Sequence, residues 1–257
     1  MYERAFTFLG RHWSEEPMDE QQWLASADPQ AMLRRLIRGQ DVWPINPYDP
    51  VHSGRHPLAS DRKLRLFACA CCRQVWDRLT DPRSRRAVEV AEMYADEGEA
   101  VAKAMGKAWL YLDMEAPHED GWVWAAGSCS DNLPRWLNDP MPARDRLVPP
   151  AAQADLLRCL FGNPFRDSQR LRSLHHVEGK TYEFTSPRLR SWLAWNNGTV
   201  PRLAEQIYAD LDWAALPVLA DALEESGCVD ADLLGHLRGP GPHAKGCWAI
   251  DLLLGKF

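Results

Sequence analysis

The chain has 257 residues, 46% of them apolar and 26% charged, with a net charge of −6 and a pI near 5.8. This balance excludes a disordered chain and argues against a protein dedicated to coating nucleic acid. Twelve Trp need a large core or an interface to cover them. No stretch approaches the roughly 20 apolar residues of a membrane helix. The N-terminus has no apolar run of signal-peptide length, so a cytoplasmic protein without membrane contact is expected. Seven Cys, with Cys71 and Cys72 adjacent, fit reduced thiols better than a disulfide scaffold.

Residues 1–18 carry no clear period and read as a loosely attached arm; a single helical domain is expected over 19–257. Asp19–Ala27 and Pro29–Arg38 read as two short helices, the second started by Asp28-Pro29 and stopped by Gly39. From Gln40 to His56 three prolines forbid a continuous helix, leaving a loop pinned by Trp43 and Tyr48. Ser60–Thr80 then reads as one central helix. Leu64, Phe67, Ala68, Cys71, Cys72, Val75, Trp76 and Leu79 form an apolar arc, with Arg62, Lys63, Arg73, Gln74 and Asp77 opposite. An arc wider than a half-turn needs several neighbouring helices to cover it.

Asp81-Pro82 starts the next helix, which runs to Glu97 before Gly98; Glu99–Met114 reads as helical, anchored by Trp109 and Leu112. Residues 116–148 scatter Trp122, Trp124 and Trp136 among Gly, Asn, Asp and Pro, with a short helix near Leu133–Leu137. Pro149-Pro150 opens a helix that Gly162-Asn163-Pro164 breaks after Phe161. Lys180–Thr185 is the only alternating run, which allows at most one hairpin. Helices follow at Thr199–Ala209, Leu216–Ser226, beyond the cap Asp230, and from Pro242 to Gly255. The fold class is therefore all-α: a compact multi-helix bundle with irregular Trp/Pro-rich loops.

Three stretches carry a family likeness: Ser60-Asp-Arg-Lys-Leu-Arg-Leu-Phe-Ala-Cys-Ala-Cys-Cys-Arg, Phe161-Gly-Asn-Pro-Phe-Arg, and Leu216-Pro-Val-Leu-Ala-Asp-Ala-Leu-Glu-Glu-Ser-Gly-Cys running on to Gly241-Pro-His-Ala-Lys-Gly-Cys-Trp-Ala-Ile-Asp-Leu-Leu-Leu-Gly. Together these resemble a large paralogous family of uncharacterised planctomycete bacterial proteins. The likeness spans most of 19–256 and weakens between about 98 and 148. Relatives often read His-Cys-Arg where this chain has His236-Leu237-Arg238. The resemblance implies no activity and no cofactor.

The residues that could carry chemistry gather at the C-terminus. Cys228, His236, His243 and Cys247 offer two thiols and two imidazoles, the donors zinc prefers. Their spacing matches no zinc-finger pattern, and the competing reading is that both Cys are small core residues. His243, Cys247 and Asp251 recur every fourth residue, which on a helix makes one polar stripe in an apolar face. A Cys247–His243–Asp251 nucleophilic unit fails on order, because the base must stand between nucleophile and orienter. A buried ion pair of Asp251 with Arg65, or with Arg78, is expected instead, since Arg65 also falls inside an apolar arc. Cys69, Cys71 and Cys72 could join a partner such as Cys159 in a metal or redox group, but inert packing is the favoured reading.

Three functions follow. The favoured one is a non-enzymatic helical module that binds another protein, since no catalytic set or cofactor loop is present and Trp sit in loops. The second is zinc binding by the C-terminal Cys/His group. The third is nucleic-acid binding through the arginines between Arg62 and Arg86, disfavoured by the overall acidity. Trp192, Trp195, Trp213 and Trp248 could line a ligand groove, but stapling of the C-terminal helices is the favoured reading, and any small-molecule ligand stays unspecified.

Overall fold

Short polar side chains and prolines set where most of the helices begin. The computed structural model describes residues 18–38, 59–114, 148–166, 171–177 and 180–256. Asp19 opens α1 (Glu20–Ala25) with a reciprocal capping box: its carboxylate accepts the Gln22 amide at 2.7 Å while the Gln22 side chain accepts the Asp19 amide at 2.9 Å. Asp28 caps α2 (Pro29–Arg38), accepting the Gln30 amide at 2.9 Å. Ser60 caps α3 (Asp61–Arg73) and Asp81 caps α4 (Pro82–Glu97), each through its side-chain oxygen. A 3-10 turn leads into α5 (Ala102–Met114), and Pro150 starts α6 (Pro150–Phe161).

An antiparallel hairpin follows, β1 (Arg172–Val177) paired with β2 (Lys180–Thr185), with Ser173 opposite Phe184 and His175 opposite Tyr182. The chain then closes with α7 (Pro187–Ala194), α8 (Thr199–Asp210), α9 (Leu216–Glu225), α10 (Ala231–Arg238) and α11 (Trp248–Leu254). The architecture is all-α, the hairpin being a local addition. No helix among the described residues is long and apolar enough to cross a membrane. Residues 1–17 of the arm expected over 1–18, the Trp43/Tyr48 loop and the Trp122–Trp136 segment lie outside the described residues, as do the side chains of Trp109 and Leu112, while Met18 packs against the core.

Three elements differ from the sequence reading. The central helix stops at Arg73, and Trp76–Arg78 form a separate 3-10 turn. Trp76 is only partly buried there, its ring lying under the Arg73 guanidinium at 3.9 Å and near that of Arg85 at 5.4 Å. The last helix starts at Trp248 rather than Pro242, because Gly241 and Gly246 take positive φ of 91° and 88° and turn the chain out of helix. Helix α7 was not expected, although Ser186-Pro187 is a cap-plus-proline start and Ser186 Oγ does accept the Leu189 amide at 3.2 Å.

Every residue from Leu64 to Cys72 is buried, so α3 is covered on all sides, between α4 and α6. The width of its apolar arc demands this cover. Helix α2 packs on α6, where α1 also docks: Trp23, fully buried, donates its indole N–H to the Gly162 carbonyl at 3.0 Å, and Arg158 donates to the carbonyls of Trp23 and Ser26. Helix α8 packs against α7, α9 and α11, and α11 against α10 and α6.

One carboxylate joins the early and late parts of the chain. Asp251, 2% exposed, accepts from Arg62 at 2.7 and 3.1 Å, and Lys63 Nζ lies 2.5 Å away. Arg62 continues to Asp96 and to the Tyr208 hydroxyl, both at 3.0 Å. Asp96 also accepts from Tyr208 at 2.9 Å and pairs with Lys245 and Lys256 at 3.1 and 3.4 Å. The expected Asp251 pairing with Arg65 is therefore corrected. Arg65 is buried with its guanidinium 5.0 Å from the centre of the Tyr94 ring, and Arg62 and Lys63, assigned to the polar side of α3, are the ones turned into the bundle. The exposed end of a first turn is reached by α11 and the loop before it, which periodicity within α3 alone does not reveal.

Replacing Asp251 by Ala leaves Arg62 and Lys63 facing a buried gap, and a loss of about 3–5 kcal/mol is expected in urea denaturation. Asp96 supplies a pH test. Burial opposes its charge, but Arg62 and Lys245 hold its carboxyl below the usual range. A depressed folded-state pKa gives stability that is complete above about pH 4 and is lost as the pH falls through the folded value. The stability gap between the wild type and Asp96→Asn should therefore be widest near neutrality and narrow below about pH 4 in denaturation at a series of pH values.

Candidate metal centre

Four side chains from three segments converge beneath this network. Cys159 comes from the last turn of α6, His236 from the last turn of α10, His243 from the 239–247 loop, and Cys247 from the residue that precedes α11. One ligand atom from each lies within 4.8 Å of every other. A tetrahedral zinc ion with its usual bond lengths would place such atoms about 3.3–3.8 Å apart, so small side-chain adjustments suffice. Both cysteines are buried and both histidines half-buried.

The sequence places each donor by local means. Asp230 caps α10 by accepting the Leu233 amide at 3.0 Å, and the helix then carries Leu233, Leu234 and Leu237 into the core with His236 beside them. His236 Nε2 stands 3.1 Å from Cys247 Sγ, and its ring meets His243 edge-on at 5.0 Å. His243 Nε2 donates to the Gly239 carbonyl at 3.2 Å. A carbonyl only accepts, so that contact places a proton on Nε2. Nδ1 is buried and has no hydrogen-bond partner. A ligating histidine has this arrangement, one nitrogen tied to a carbonyl and the other offered to the ion.

Gly246 brings the loop close. A Cβ there would sit 2.7 Å from Leu66 Cδ1 and 3.2 Å from Leu66 Cβ, so a larger residue would hold Cys247 away from α3 and α6.

Charge is unevenly shared between the sulfurs. Burial alone would raise the Cys247 thiol, but hydrogen bonding from Cys159 and the neighbouring His236 and His243 imidazoles hold it well below the usual range. Cys159 moves the opposite way, raised by its contact with Cys247 and by burial. As a pair the two thiols give up a first proton readily and hold the second tightly. Burial opposes charging His243, yet the Cys247 sulfur and the Gly239 carbonyl raise its pKa overall. Binding a soft cation through all four donors would release the thiol proton that the pair retains, together with any second proton on His243.

His236, His243 and Cys247 are the sequence-predicted donors that come together. Cys228 does not join them, and Cys159 takes the fourth place. The reason is local. Gly227 at φ 90° ends α9, its amide bonding to Glu224 and that of Cys228 to Leu223, a Schellman closure that turns the Cys228 side chain into the core. Burial raises its thiol pKa, as for an inert core cysteine. Cys159 stood out in sequence only as a possible partner of Cys69, Cys71 and Cys72, with no spacing to connect it to the tail. Asp251 faces Arg62 and Lys63, not His243, so no Cys–His–Asp relay is formed. Cys69, Cys71 and Cys72 are buried outside disulfides and belong to no such cluster among the described residues.

The arginines of the 62–86 region are engaged within the molecule. Arg73 forms a two-bond pair with Glu92, Arg83 pairs with Asp81, Arg86 with Glu89, and Arg85 donates to the carbonyls of Leu79 and Trp76. Trp192 and Trp248 are buried, while Trp195 and Trp213 pack against the core. The exposed large apolar side chains among the described residues are Leu24, Leu211, Val218 and Val229, with no aromatic patch.

Comparisons with protein-family models, curated proteins and solved structures find no match for this chain.

Gly246→Ala combines positive-φ strain with the clash against Leu66. A loss of about 2–4 kcal/mol is expected in thermal or urea denaturation, with the C-terminal donors displaced.

Proposed function

We propose that this protein binds one zinc ion through Cys159, His236, His243 and Cys247, and that the ion fastens α6 to the C-terminal segment. The observation that carries the reading is the convergence of two thiols and two imidazoles within 4.8 Å; His243 Nδ1 is also buried without a hydrogen-bond partner. Two sulfurs and two nitrogens suit zinc, whereas calcium and magnesium take oxygen donors. Four protein donors fill a tetrahedral shell, which is the pattern of a structural site. No coordination position is left for a substrate, and this supports a non-enzymatic role. Binding of this kind adds to folding free energy, because the unfolded chain has no preformed site.

Protein purified or reconstituted under reducing conditions should contain one zinc per chain by elemental analysis. Cys159→Ser and Cys247→Ser should each lose it, while Cys228→Ser should keep it. Zinc at background level in the reconstituted wild type, or full zinc in Cys159→Ser, would overturn the reading.

A further inference from the structure

Lys63 lies in the first turn of α3 with its side chain 13% exposed. Its ammonium donates to the Leu160 carbonyl at 2.9 Å and to the Gly246 carbonyl at 2.6 Å, and meets Asp251 at 2.5 Å. An ammonium has three donors, and all three are engaged. Leu160 directly follows Cys159, and Gly246 directly precedes Cys247. The third partner, Asp251, lies one turn into α11, the helix that Cys247 begins. One side chain therefore holds the backbone beside both sulfur donors of the proposed site.

These bonds also answer local needs. The Leu160 carbonyl is in the last turn of α6, where intrahelical partners run out. The Gly246 carbonyl belongs to the close approach that carries Cys247 against α3 and α6. An ammonium on a four-carbon stem reaches both at once, in a setting where a neutral apolar side chain would leave two carbonyls unpaired.

We infer that Lys63 is the positioning residue of this metal centre, setting the separation of the Cys159 and Cys247 sulfurs through the carbonyls of Leu160 and Gly246. The inference rests on the zinc reading above. Groups beyond the direct ligands that orient them are worth about 10- to 100-fold in metal affinity, and Lys63 is assigned an effect of that size.

The test compares wild type, Lys63→Met and Val88→Ala, each reconstituted with zinc and challenged with a chromophoric chelator at one pH, and separately loaded with cobalt for its ligand-field spectrum. Lys63→Met is expected to bind zinc about 10- to 100-fold more weakly and to show altered cobalt bands. Val88→Ala, which truncates a buried side chain of α4, should lower the thermal midpoint while keeping the wild-type affinity and spectrum. If Lys63→Met does not fold, Lys63→Arg carries the test: its wider fork spreads the two carbonyls, so faster zinc release and shifted cobalt bands are expected. Wild-type affinity and spectrum in the Lys63 variant that folds would overturn the inference and leave the zinc reading standing. A wild-type protein that takes up no zinc would instead overturn the zinc reading, and this inference with it.

Discussion

The Asp251 carboxylate, held between Arg62 and Lys63, is the contact on which the placement of the C-terminal segment depends. Two cations and one anion with so little water around them must be mutually satisfied, since leaving any of them alone is costly. Arg62 extends the arrangement to Asp96 on α4 and Tyr208 on α8, so four helices that are distant in sequence share one set of charges. Burial would favour the neutral form of Arg62, and the facing Asp251 more than offsets it. The same enclosure raises the Tyr208 phenol, keeping it a donor to Asp96. Through Asp251 the network ties α11 to the first turn of α3.

Much of the bundle could be read directly from the chain. Asp28-Pro29, Asp81-Pro82 and Pro149-Pro150 each mark a helix start, and the helices at Pro29–Arg38, Pro82–Glu97 and Pro150–Phe161 run as those signals require. The alternation over Lys180–Thr185 likewise becomes one strand of a hairpin. The failures have physical causes. Ser186-Pro187 is the same kind of start, but the eight-residue helix behind it is too short for apolar periodicity to stand out. At the tail, apolar spacing over 242–255 imitates a helix, while Gly241 and Gly246 bend the first half into a loop.

The candidate site was legible in part for the same reason. His236, His243 and Cys247 lie close in sequence, so their convergence needs only a turn. Cys159 and Lys63 lie on α6 and α3, and nothing in their own neighbourhoods announces the tail. Cys228 looked equivalent to Cys159 by residue type and nearer by position, yet its backbone is committed to closing α9. The Arg65–Asp251 pairing failed similarly: helix periodicity locates the buried side of α3 but says nothing of what covers its first turn.

The uneven spacing of the donors has a further consequence. His236 and Cys247 are 11 residues apart, whereas Cys159 is separated from them by the hairpin and three helices. In a chain still folding, the short segment could gather its three donors early, because closing a small loop is fast. The fourth donor arrives only when α6 has docked, and α6 docks against α2 and α3. Completion of the proposed donor set would then report that the two halves of the protein have met, and retention of the proposed zinc would mark that step.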